Sequence, residues 1–186
     1  DTPFRTGSRA VYYGTNDFIK HAGRKHLPGS TRTSASGADV MQTLHGSDVW
    51  SPPSKVREWA ARAGVNRMEV LSPSPAPAFM MNLVNKTKAT FIVEVGVFLG
   101  ASTIMLANAL DAVFPHDTGP FVLSVDTWLG DAYMWSSKVQ RHPAGSLRSY
   151  GDLLNRAHGR PRVYEQFMFN VLMANASHRV VPLPLS

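Results

Sequence analysis

The sequence has no cysteine, which removes disulfides, thiolate metal sites and cysteine nucleophiles together. It also lacks a long hydrophobic run. Apolar stretches such as Phe91–Val93 and Val97–Leu99 are broken by Glu94, Gly96 and Gly100. A membrane helix needs roughly 18–20 apolar residues in succession, so no transmembrane segment is expected. Charge is sparse: 17% of the 186 residues are Asp, Glu, Lys or Arg, against 44% hydrophobic, the balance of a soluble globular chain. The excess is basic, 19 Lys and Arg to 13 Asp and Glu, and would draw acidic surfaces. It is spread along the chain, however. Basic runs interleaved with aromatics, the pattern that grips single-stranded nucleic acid, are missing, and no nucleic-acid partner is expected. The histidines at 21, 26, 45, 116, 142, 158 and 178 show no H-x-x-x-H or H-x-x-E spacing, so no metal site is expected. There is also no G-x-S-x-G elbow for a hydrolase.

What is present suits one domain with a real core and is too short for two large ones. Residues 1–50 carry little periodicity. Val11-Tyr12-Tyr13 reads as a short extended piece and 29–37 as loop, so an irregular segment is expected here, either hugging the surface or serving as an arm that grips another chain. The chain opens on Asp1, and residues 5–37 are rich in Arg, Lys, Ser, Thr and Gly. That composition suits the remnant of a precursor targeted to a chloroplast or mitochondrion, and equally a basic flexible arm. Ser51-Pro52-Pro53 predicts a helix start with Ser51 as N-cap and Pro52 at the first helical position. Val56, Trp59, Ala60 and Ala63 follow at helical spacing, and Gly64 closes it. Ser72 through Pro77 alternates with proline and marks a linker. The boundary divides an irregular amino-terminal region, residues 1–77, from a second unit, residues 78–186.

In that second unit Ala78–Lys86 reads as a helix. Thr90–Val95 is a β-branched apolar run, the pattern of a strand buried on both faces. Gly96–Gly100 is a turn, Ser102–Ala112 a helix, and Phe121–Val125 a second strand ending at Asp126. Residues 127–160 are rich in loop formers, with a short helix expected near Leu147–Ala157. Tyr164, Phe167, Met168, Val171 and Leu172 then fall at amphipathic helical spacing. Arg179–Leu185 is a third strand, interrupted by Pro182 and Pro184. Strand, helix, strand, helix, strand predicts right-handed crossovers and a parallel sheet. The fold class is therefore α/β: a partial Rossmann-like sheet of about three strands with an irregular amino-terminal extension.

The chemistry concentrates in Glu94-Val95-Gly96-Val97-Phe98-Leu99-Gly100-Ala101-Ser102, between a strand and a helix. Gly96 is expected at positive φ, where a Cβ is disfavoured. Gly100 allows close approach either of a ligand or of the helix to the sheet. The helix behind the loop presents free N–H groups and a positive dipole end, and Ser102 beside it is placed to cap that end or to meet ligand. The spacing is neither the G-x-G-x-x-G of dinucleotide folds nor the G-x-x-x-x-G-K-[ST] of phosphate loops. Asp126, ending the next strand, stands where doubly wound folds set an acid against ribose hydroxyls. Trp128, Tyr133 and Trp135 suit either packing beneath a loop or an aromatic ligand wall, and Asp131 either a general base or a solvated carboxylate.

The E-x-G-x-x-x-G-x-S loop resembles the first motif of class I S-adenosylmethionine-dependent methyltransferases. Asp126-Thr127-Trp128-Leu129-Gly130 resembles the acid motif of the branch that includes macrolide sugar O-methyltransferases and uncharacterised algal and bacterial relatives. Tyr164-Glu165-Gln166-Phe167 with Asn170 and Val171 resembles the helix that follows in that group. The resemblance covers residues 78–186. It implies S-adenosylmethionine as cofactor, with Glu94, Gly96, Gly100 and Ser102 on its methionine side, Asp126 on the ribose, and Thr127 and Trp128 beside the adenine. It implies methyl transfer to an oxygen or nitrogen of a small-molecule acceptor, or else a non-catalytic methyltransferase-like subunit of a larger, organellar or other, complex. In the strand order of such domains the first strand is central. Phe91–Val95 is therefore expected to pair on both sides, with one neighbour from further sequence, from residues 1–77 or from another chain, and the 186 residues alone are expected to be inactive.

Overall fold

The computed structural model describes residues 35–69, 77–130 and 160–185, together with 132, 134, 135, 154, 156 and 157. The expected extended piece at Val11–Tyr13, most of the proline linker, Asp131, Tyr133 and most of residues 136–155 lie outside the described residues.

Helix α1 (Gly37–His45) starts at Ser36, whose hydroxyl accepts the Asp39 amide while the Asp39 carboxylate accepts the Ser36 amide in return. That reciprocal pair satisfies two N–H groups which a first turn leaves over. Gly46, at φ 69°, ends the helix by donating to Gln42 O. This stretch is thus regular where an irregular arm was expected. Only Met41 is fully buried in it, so nine residues show little apolar period. Helix α2 (Pro53–Arg62) is capped by Pro52, with Pro53 at the first helical position, one residue later than expected. It buries Val56 and Ala60.

The remaining elements are α3 (Pro77–Thr87), β1 (Phe91–Val95), α4 (Ala101–Val113), β2 (Phe121–Asp126), two-residue strands β3 (Arg156–Ala157) and β4 (Arg160–Pro161), α5 (Val163–Met173), a 3-10 turn (Ser177–Arg179) and β5 (Val180–Pro184). Arg156–Ala157 pairs antiparallel with Arg160–Pro161, so the helix expected to run to Ala157 is replaced there by a strand. Strands β1, β2 and β5 form a parallel sheet in that order. Phe91 stands opposite Phe121, and Val122 opposite Val180. The arrangement is α/β and Rossmann-like, as the alternation of strands and helices predicts.

Val84 of α3, Leu106, Ala109 and Leu110 of α4 and Val122 of β2 make one apolar cluster. A larger one joins Leu99, Trp128, Phe167, Val171 and Val181 with Met41 and Trp50. Helix α5 is buried on every side from Val163 to Val171, not amphipathic as its spacing suggests. Its polar side is covered by residues 67–69, which hydrogen-bond Gln166 and Asn170, and Ala60, Ala63 and Val65 pack with Phe169.

The two edges of the sheet differ. Leu185 N–H donates to Asp126 O, so Pro182 and Pro184 turn their missing N–H positions away from β2. On that outer side Trp50 Nε1 donates to Val180 O at 2.8 Å and His45 Nε2 to Pro182 O at 2.7 Å. The β5 edge is closed. At β1, Thr90 O and Gly96 N–H bond to β2, so Phe91, Val93 and Val95 direct their backbone groups outward. Their side chains are 53%, 51% and 77% exposed. The expectation of a strand buried on both faces and paired on both sides is not met among the described residues: β2 is its one neighbour, and its second face, where Phe91 packs on Phe121, is left more than half exposed.

Candidate functional site

The site is built from two loops that leave neighbouring parallel strands at their carboxyl ends. Gly96 turns out of β1 at φ 82° with its N–H still on Val125 O, 3.0 Å away. A Cβ at this position would meet none of the described residues within 4 Å, so among them the loop borders open space there. Phe98 follows at φ 52°, and Gly100, at φ 84°, closes the turn by donating to Val97 O. Gly100 borders no open space. A Cβ on it would come within 2.8 Å of Phe167 Cδ2 on α5. Of the two roles open to this glycine, helix packing is the one its neighbours require.

Glu94 points from β1 toward the first turn of α4, where its two carboxylate oxygens accept the hydroxyls of Ser102 and Thr103. Ser102 therefore does not cap the helix, its hydroxyl proton going to Glu94; Gly100 is the N-cap, without a side-chain bond. Burial raises the Glu94 carboxyl above its ordinary value. The two hydroxyls oppose the rise, and the nearby Asp126 charge adds to it. A raised carboxyl favours folding in its protonated form. That contribution is full below the ordinary value of about 4.5 and is lost as pH climbs from there through the raised value. Glu94→Gln should therefore gain stability relative to the parent as pH rises from 4.5 to 7, in thermal melts taken across that range. A stability difference independent of pH would contradict this.

Asp126 sits half-buried at the end of β2. One oxygen accepts the Phe98 amide and the other the Trp128 amide, both at 2.8 Å. Trp128 is left-handed at φ 50°, and its Nε1 donates to Phe98 O at 2.9 Å. Its ring is 2% exposed and stands 4.7 Å from Tyr164 and 4.9 Å from Phe167. The ring thus packs into the core, and among the described residues it presents almost no free surface on the side expected for an adenine. Thr127 is exposed, and its hydroxyl accepts the Leu129 amide. Trp135 is half exposed and donates to Leu129 O.

Asn170 was not among the expected site residues, yet it supports the loop directly. Its amide donates to Leu99 O at 2.9 Å and Glu69 O at 2.7 Å, and its oxygen accepts from Glu69 N and Gln166 Nε2. Two amides four apart on a helix that is mostly apolar, Gln166 and Asn170, are the signal that marks it. The site thus joins a half-buried carboxylate, a glycine bordering open space and the positive end of α4. A cavity of about 490 Å³ lies at the opposite end of the strands, beside Phe121, Val180 and Trp50. Among the described residues no three His, Asp or Glu gather as metal ligands, and no helix is long and apolar enough to cross a membrane.

No protein-family model and no curated protein matches the sequence. Solved structures do. A provisionally assigned O-methyltransferase from Klebsiella pneumoniae is 20% identical, with a TM-score of 0.37, over 92% of this chain and 49% of its own. The cofactor-bound protein Rv0187 from MTB is 18% identical, with a TM-score of 0.36, over 80% of this chain and 50% of its own. An O-methyltransferase from Bacillus cereus in complex with SAH is 22% identical, with a TM-score of 0.34, over 77% and 51%. The chain spans about half the length of these structures.

Proposed function

We propose that the two loops hold S-adenosylmethionine and that the protein is a methyltransferase acting on an oxygen or nitrogen of a small molecule. The observation that carries this reading is the pairing of Gly96, open on its outer side, with Asp126 at the ends of adjacent strands. The glycine and acid motifs resemble those of class I methyltransferases, which agrees with it. The residues present suit the cofactor. Each Asp126 oxygen has accepted one N–H and keeps a lone pair, so the carboxylate can still receive both hydroxyls of a ribose. The first turn of α4 offers N–H groups to a carboxylate such as the methionine one. Glu94 and Ser102 contribute by fixing that turn to β1, and Gly100 by letting α4 sit on Phe167. Thr127 is the exposed residue on the adenine side.

The cofactor supplies an electrophilic methyl group on sulfur. What this chain contributes is alignment: a rigid seat that holds one reactant while an acceptor approaches in line. Asp126→Ala should weaken S-adenosylhomocysteine binding by about 1–3 kcal/mol through lost charge-assisted hydrogen bonds, read by calorimetry on variants whose melts show them folded. Asp126→Asn, which keeps one acceptor oxygen, should fall between. Absence of any binding heat in the intact wild-type protein would end this reading.

A second reading, a non-catalytic methyltransferase-like subunit within a larger complex, is supported by β1. A bare apolar strand edge with an exposed face is a surface that folded proteins usually cover. Turnover of S-adenosylmethionine by the isolated wild-type protein, against a panel of oxygen and nitrogen acceptors, would dispose of it.

A further inference from the structure

We infer that Trp128 is a positioning residue for the glycine loop, acting through its indole N–H; its effect on ligand binding rests on the adenosine-ligand reading above. Phe98, near the apex of the loop, holds φ 52°, a conformation unfavourable to any residue with a Cβ. Both of its backbone polar groups are gripped from the neighbouring loop. Its N–H donates to Asp126, and its C=O accepts from Trp128 Nε1. Trp128 is left-handed too, with its own N–H on the other Asp126 oxygen. Two bulky left-handed residues are thus tied to one carboxylate and to each other.

The ring that carries the indole N–H is itself fixed. It is buried against Tyr164 and Phe167, and Phe167 lies directly beneath Gly100. Strained backbone of this kind persists where its surroundings over-determine it. Losing the indole N–H removes a bond that holds Phe98 in place. The path from Gly96 to Gly100 then loosens, although the residue changed never touches the ligand.

The test replaces Trp128 with phenylalanine and, separately, with benzothienylalanine, which keeps the shape of the indole and lacks its N–H. Val84→Ala, in the α3–α4 cluster away from the loops, controls for general loss of stability. In the intact protein, amide exchange at Phe98 should quicken up to about tenfold in both Trp128 variants beyond that control, and S-adenosylhomocysteine should bind more weakly by a similar factor, the effect of one hydrogen bond. Unchanged exchange at Phe98 in the benzothienylalanine protein overturns the inference. Faster exchange with undiminished affinity overturns the positioning role. A wild-type protein that binds no S-adenosylhomocysteine defeats the proposed function instead, and exchange at Phe98 then decides the latch alone.

Discussion

Gly100→Val should cost about 4 kcal/mol of stability, a large share of the roughly 5–15 kcal/mol that keeps a typical domain folded. Two terms add. A residue with a Cβ in the left-handed region loses roughly 1–2 kcal/mol, and a β-branched one more. The new side chain must also enter occupied space: the first carbon alone comes within 2.8 Å of Phe167 Cδ2 and 3.6 Å of Val171 Cγ2. Phe167 is wholly buried and backed by Trp128, so it has nowhere to move, and overpacking of this kind adds about 1–3 kcal/mol. Gly100→Ala should lose about half as much, since it keeps the strain and the nearest contact but no branch. Urea melts of the two variants test the order. An unchanged midpoint for the valine variant would mean that α4 can lift from α5 without cost.

Arg179→Ala should lose about 3 kcal/mol, through hydrogen bonds to a buried cation. The guanidinium is 3% exposed and donates to Asp111 Oδ1, to Phe114 O at the end of α4, and to Asp117 O and Pro120 O in the turn before β2. One planar fork thus closes a helix end and a connection together. Arg179→Lys should recover less than half the loss, because a single ammonium cannot reach four acceptors so arranged. There is also a pH signature. Partial burial would raise the Asp111 carboxyl, but the hydrogen bonds and charges of Arg179 and His178 together outweigh it and hold the group below its ordinary value. Its contribution is full above that ordinary value and is lost as pH falls through the lowered one. The parent should therefore shed this increment under acid, and the alanine variant should have little of it to shed. Equal acid limbs in the two proteins would contradict the assignment.

Strands β1 and β2, helix α4 and the acid at the end of β2 were legible because each is local. A β-branched run, two glycines four apart and an aspartate after a second apolar run lie within 37 residues. What escaped depends on partners far along the chain. Asn170 meets Leu99, and Arg162 reaches Ala63 O. Trp128 gave no local sign of whether its ring faces ligand or core; Tyr164 and Phe167 on α5 decide that. The apolar run at Phe91–Val95 looks the same whether a strand is central or marginal, so its alternating exposure could not be read from composition. α1 was missed for a different reason. Its capping pair uses Asp39 where a longer acid is the usual cue, and its buried stripe is too short to reveal a period.

The contrast between the sheet's two margins limits how copies of this chain could associate. Prolines, an indole and an imidazole finish the β5 side, so strands can be added beside β1 alone. Head-to-tail polymers need two complementary sticky ends per unit, and these described residues provide one. Among the described residues, self-association through the three-stranded sheet would consume that end in a single two-fold contact and stop at a pair, because the β5 margin offers no second one.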